Sequence, residues 1–238
     1  MTVARAKWLL LPVLCVVGVL LFTALGIWQV ERLAWKLDLI ARVDRRIHAP
    51  PVAVPAPGQW SMLDPKAIEY RHVAVAGRYR HDQETLVDAL TERGAGYWVL
   101  TPLVTGMGTI LVNRGFVPSD HADRRTRAAG NFEELVIITG LLRLSEPRGR
   151  VLRRNDPFAN RWYSRDVVAI AKARVLGAVA PFFIDADAAV NPGGLPIGGL
   201  TVVTFRNAHL VYALTWFALA ALSLGGLVLI RKSAQKSG

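Results

Sequence analysis

Arg206-Asn207-Ala208-His209-Leu210-Val211-Tyr212-Ala213-Leu214-Thr215-Trp216-Phe217 opens the second of two membrane-length apolar runs in this 238-residue chain. No charged residue interrupts the run from His209 to Ile230, and about 20 such residues cross the hydrocarbon of a bilayer as a helix. A histidine stands where the chain enters the lipid, and an ionisable side chain there is a functional-site hypothesis. Working outward, a matching run extends from Trp8 to about Val30. The chain is 52% hydrophobic, with mean hydropathy +0.30, and the two runs hold the excess over a soluble domain. The expected layout is a short end (1–7), a transmembrane helix (8–30), a folded body (31–207), a second transmembrane helix (208–230) and a tail (231–238). Arg5, Lys7 and Ala24-Leu25-Gly26 would also suit a secretory leader. The length of the run, and its continuation into Ile27 and Trp28, favour an anchor.

Arg5 and Lys7 precede the first run, and Arg231, Lys232 and Lys236 follow the second. Positive flanks stay cytoplasmic, so both termini are expected inside and the body outside, on the plasma (inner) membrane. The net charge of +11 then points to anionic lipid or an acidic partner rather than to nucleic acid, for which no motif is present. The one cysteine, Cys15, lies in the first apolar run, where a small packing role is its ordinary use. The body therefore has no disulfide and no Cys-x-x-Cys for thiol exchange or a dithiolate copper site.

Beyond Trp28 and Gln29, the residues Leu33, Leu37, Ile40, Val43 and Ile47 recur at helical spacing and extend the first helix to about Ile47. Pro50, Pro51, Pro55 and Pro57 read as a stiff linker. A β-rich core is expected over 70–185. Its strands are Tyr70–Tyr79, Glu84–Ala89, Tyr97–Leu103, Thr109–Val117, Leu135–Leu144 and Pro181–Asp185, with a turn at Arg93–Gly96 and a short helix at Asp166–Leu176. The arginine-rich stretches Pro118–Asn131 and Arg148–Arg154 read as solvated loops, and Asn191–Gly199 as a flexible link.

No catalytic constellation emerges. Gly94-Ala95-Gly96 and the Gly193–Gly199 stretch lack the strand, helix and Lys-Ser/Thr that cradle phosphates, and no Gly-x-Ser-x-Gly or His-Glu-x-x-His is present. Asp185 and Asp187 would share one side of a strand but have too few partners for a metal. His48, His72, His81 and His121 are dispersed and read as surface residues. The protein is expected not to be an enzyme.

The membrane mouth remains. Antiparallel helices bring Trp28 and Gln29 to the depth of His209 and Tyr212. His209, Tyr212 and Trp216 share one face of the second helix, with Trp216 roughly 10 Å deeper than His209. Neutral imidazole is a common axial ligand of haem iron. Arg32 and Arg206 flank the helix ends, where they could meet propionates. The same residues would equally serve as interfacial anchors and lipid-phosphate contacts, and spacing alone leaves both readings open.

Four signatures occur in order: Leu25-Gly26-Ile27-Trp28-Gln29 with Arg32, Trp35 and Lys36; Tyr70, Val73 and Gly77-Arg78-Tyr79; Gly96-Tyr97 with Leu100-Thr101-Pro102-Leu103 and Leu111-Val112-Asn113-Arg114-Gly115-Phe116-Val117-Pro118; and Asn207, His209 and Tyr212–Phe217. Together, over nearly the whole chain, they resemble the Surfeit locus protein 1 family of membrane factors for assembly of haem-copper cytochrome c oxidase. The resemblance implies a factor that binds haem a and aids its insertion or stabilisation in the oxidase's catalytic subunit, with that subunit, the haem a synthase and the membrane as partners. His209 matches the family histidine proposed as the metal ligand, and Trp216, Tyr212, Trp28, Gln29 and Arg32 match family positions. One departure is Ala208, where the family commonly has a second asparagine. The composition and the short N-terminus, without a transit peptide, fit a bacterial member.

These readings give a membrane-anchored α+β protein. Two transmembrane helices flank one β-rich extracytoplasmic domain, a small barrel or rolled antiparallel sheet. The alternative function is a scaffold that carries no haem and holds an oxidase subunit or the haem synthase.

Overall fold

In a computed structural model, the structure describes residues 3–236 apart from Val151, Val202, Thr204 and Arg206, with side chains from Leu10 to Gln235. The elements in order are α1 (Val3–Ile47), β1 (Val52–Ala53), α2 (Pro65–Ile68), β2 (His72–Tyr79), β3 (Thr85–Thr91), β4 (Gly94–Thr105), β5 (Gly108–Pro118), β6 (Val136–Leu144), α3 (Val167–Ala173), β7 (Val179–Ala186) and α4 (His209–Lys236). Two compact units result, residues 43–203 on one side and residues 1–42 with 204–238 on the other.

The helical unit is an antiparallel pair. Both α1 and α4 are long and apolar enough to cross a membrane. As α1 is followed back from Gln29 through Phe22 to Gly18, its contacts on α4 move forward from His209 through Trp216 to Ser223. Small residues let the backbones approach: Ala213 and Ala220 are buried, and Phe217 fills the space that a Cβ on Gly26 would need. Cys15 Sγ lies beside Gly226, a packing position.

The other unit is a closed five-stranded barrel, in the order β2-β6-β7-β5-β4, with β4 returning to β2 through Arg78–Val104 and Tyr79–Leu103. Strands β1 and β3 extend it outside β2 and β4. The two-helix, β-barrel architecture expected from the sequence is thus the one observed. Not all of its sheet is antiparallel, however: β5 pairs with β7 in parallel, and so does β1 with β2. Alternation fixes the inward face of β2, where Val73, Val75, Gly77 and Tyr79 are buried. Strands β5 and β7 are covered on both sides. Ile110, Val112, Phe182 and Ile184 fill the barrel. Leu111 and Phe183 lie under α3 and Trp162, against Val167 and Ile170. Asp166 starts α3 by accepting from Ala169 N–H at 3.1 Å.

Several local expectations are corrected. The proline stretch is not only a linker, because Val52 and Ala53 pair with β2 and Val54 is buried. The Arg93–Gly96 turn is confined to Glu92 and Arg93. Gly96 belongs to β4, where a Cβ would lie 2.2 Å from Val117 O. The glycine-rich link is tied down as well: Ile197 and Phe116 exchange both backbone hydrogen bonds, at 2.8 and 2.9 Å.

Candidate functional site

Gln29 projects from α1 toward α4 and is buried. Its Oε1 lies 2.7 Å from His209 Nδ1, in the first turn of α4. An amide oxygen can only accept, so Nδ1 donates this bond, and in the neutral ring Nε2 then keeps its lone pair. Among the described residues Nε2 has no hydrogen-bond partner, and Asn207 Oδ1 accepts from the His209 backbone N–H at 3.3 Å. The bond orients the imidazole and, in the neutral ring, sets its tautomer. Metal-ligating histidines are commonly oriented by such a bond at the other ring nitrogen.

Two turns further into α4, Trp216 stacks on Phe22, with centroids 5.7 Å apart and planes at 20°. Phe22, Gly26 and Gln29 form the α1 side of the contact. Their spacing of four and three residues was the available signal for Phe22, which the sequence reading missed. Trp28 and Tyr212 are half-exposed on the outside of the pair. The structure thus brings Gln29 and His209 together and packs Trp216 between the helices. It leaves Trp28 and Tyr212 as aromatic surface beside them. Arg32 is exposed and lies over Trp35, 4.5 Å from the ring centroid. Arg206 lies outside the described residues.

The barrel holds polar groups that the sequence did not reveal. His81, read as a surface residue, is buried. Its Nε2 donates to Phe132 O at 2.9 Å, and its Nδ1 faces Arg114 Nη1 at 3.3 Å. Burial and the neighbouring Arg114 charge push its pKa below the ordinary histidine value, despite the Phe132 bond and Glu84. Burial pushes the Tyr79 phenol up to about 12, against the opposing effect of Arg114. Arg127, assigned to a solvated loop, is buried because Glu84 meets it with both carboxylate oxygens. Asp185 is also buried. Its oxygens accept from Asn113, Arg143 and Arg165 at 2.8–3.2 Å. Asp187 instead pairs with His72 at 2.9 Å. Among the described residues no cluster of three or more His, Cys, Asp or Glu could hold a metal ion.

The sequence model of the SURF1 family matches residues 16–221. The chain is 42% identical to Surfeit locus protein 1 of Homo sapiens over 215 residues, 83% of this chain and 69% of that protein. It is 39% identical to the Xenopus tropicalis protein of the same name, over 90% of this chain and 72% of that protein. A SURF1-like protein of Monosiga brevicollis is 38% identical, over 90% of this chain and 85% of its own length. On these matches the chain belongs to the SURF1 family.

Proposed function

We propose that this protein is a membrane-anchored assembly factor for a haem-copper cytochrome c oxidase, and that its helix pair holds haem a through His209. The observation that carries the haem reading is the His209–Gln29 contact. Buried Gln29 accepts a hydrogen bond from Nδ1–H, which leaves Nε2 to serve as the ligand. The residues fit the group: one oriented imidazole for the iron, and half-exposed Trp28 and Tyr212 as flat apolar neighbours. Arg32, exposed at the same end, would serve a propionate, and Arg206 would join it. When bound, haem would supply an iron centre, and His209 is the residue that would ligate it. The protein's own work is to hold that imidazole oriented at the lipid boundary, so the role is non-catalytic. The acceptor would be the oxidase's catalytic subunit, with the haem a synthase as donor. The positive flanks Arg5, Lys7, Arg231 and Lys232 support cytoplasmic termini and a barrel outside the plasma membrane.

The test is the reduced pyridine haemochrome spectrum of wild type and His209→Ala, purified in mild detergent from a host that makes haem a. The expected result is haem a in the wild type and its loss in the variant. A colourless wild type would replace carriage by the scaffold reading. Equal haem in both would remove His209 as the ligand.

A further inference from the structure

Arg114 is an unusual charge. It is 2% exposed, yet among the described residues no carboxylate hydrogen-bonds to it. Its Nη1 faces His81 Nδ1, and its Nη2 donates to Gly130 O and to Asn191 Oδ1. The rings of Tyr79 and Phe132 lie 4.8 and 5.5 Å from its Cζ. Nε has no hydrogen-bond partner among the described residues. The neighbouring acid, Glu84, is fully engaged by Arg127, and the Tyr79 phenol stays protonated at neutral pH. Ring faces and neutral oxygens offset a buried guanidinium only in part.

The same guanidinium borders a cavity of about 180 Å³. Tyr79, Thr139, Asn191 and Asp187 share its polar side, and Ile137, Ile138 and Val190 stand on its apolar wall. At its rim Ile137 is 77% and Val190 is 93% exposed, although both are apolar. Asp187 contributes a negative charge on that polar side, with Oδ2 paired to His72 Nε2. That charge opposes a second negative charge on any guest. Nε, the one guanidinium donor without a hydrogen-bond partner among the described residues, suits a single carboxylate oxygen, and a short tail would cover the rim.

We infer that this cavity is a binding site for a small amphiphilic monocarboxylate, its head on Arg114 and its tail against Ile137 and Val190.

The test is isothermal titration calorimetry of the full chain in nanodiscs of neutral lipid, near neutral pH, with butyrate, acetate and inorganic phosphate. Butyrate should bind saturably, acetate more weakly and phosphate least. Arg114→Gln should abolish butyrate binding. Because that variant removes a buried group and can fail to fold, Ile137→Glu decides the matter. It places a carboxylate at an exposed rim position, which leaves the fold intact, and should weaken butyrate at least about tenfold through like-charge repulsion. Absence of saturable butyrate binding overturns the inference. So does phosphate binding as tight as butyrate, or an Ile137→Glu affinity equal to that of wild type.

Discussion

Replacing Asp185 by alanine should destabilise the barrel more than any single surface change. Asp185 lies on β7, between β6 and β5. One oxygen accepts from Asn113 Nδ2 at 2.8 Å and Arg165 Nη1 at 3.0 Å; the other accepts from Arg143 Nη1 at 3.0 Å and Arg165 Nη1 at 3.2 Å. The carboxylate side chain is 1% exposed, and those of Arg143 and Arg165 are 15% and 13% exposed. After truncation Arg165 keeps Glu146. Among the described residues Arg143 keeps Glu69 at 4.0 Å and the Tyr70 ring, and the Asn113 amide loses its acceptor. Breaking a buried pair from one side costs about 3–5 kcal/mol, a large share of the roughly 5–15 kcal/mol that holds a domain together. In a domain of this size, about 2–4 °C of melting temperature accompanies each kcal/mol. The expected drop is therefore on the order of 10 °C for the full chain in detergent, read by intrinsic fluorescence during heating. Asp185→Asn retains one acceptor and should fall between. Asp82→Asn, at an exposed pair with Arg80, is the control and should barely move. If Asp185→Ala melts with that control, the network does not stabilise the barrel and the reasoning is refuted.

Gln29→Leu should keep the helices paired but free the His209 ring, lowering haem a retention about tenfold or more; unchanged haem content would show that Nδ1 anchoring is irrelevant. His81 has a folded-state pKa below its ordinary value of about 6.5, so the unfolded chain takes the proton first. Its contribution is thus lost as pH falls below about 6.5. Burial opposes the charged His72 ring, but Asp187 and Ala49 O outweigh it and raise the pKa, giving the opposite slope. Melting temperatures of wild type and His81→Gln should therefore converge between about pH 7 and about pH 5, and a constant gap would contradict the assignment. Gly140→Ala would set a Cβ 2.2 Å from Asp185 O, a backbone atom of the paired strand. The cost is about 1–3 kcal/mol, visible as a lower melting temperature and absent if the strands can part.

The membrane helices were legible because length and uninterrupted apolarity decide them locally. The Gln29–His209 meeting was legible for a related reason, since antiparallel helices of equal span bring their outer ends together. Strand alternation in β2 was equally plain, and so was the Asp166 start of α3. Barrel closure was not. The pairings β2–β4 and β5–β7 join segments separated by other strands, and no residue pattern along one strand names its neighbour. The burial of Arg127 and His81 was hidden for the same reason. Their partners Glu84 and Arg114 stand 43 and 33 residues away, and without them a charged or imidazole side chain belongs in water.

The position of β7 imposes an order on biogenesis. It is the last strand made, yet it sits between β6 and β5. A growing chain that has reached only residue 178 has all the other strands but presents two bare edges that no earlier segment can cover. Long-range closure of this kind is slow, and bare edges invite association with other chains. The barrel is therefore committed only when Val179–Ala186 arrives, shortly before the second apolar helix is made. Shortening this last strand would not trim the domain but leave it open.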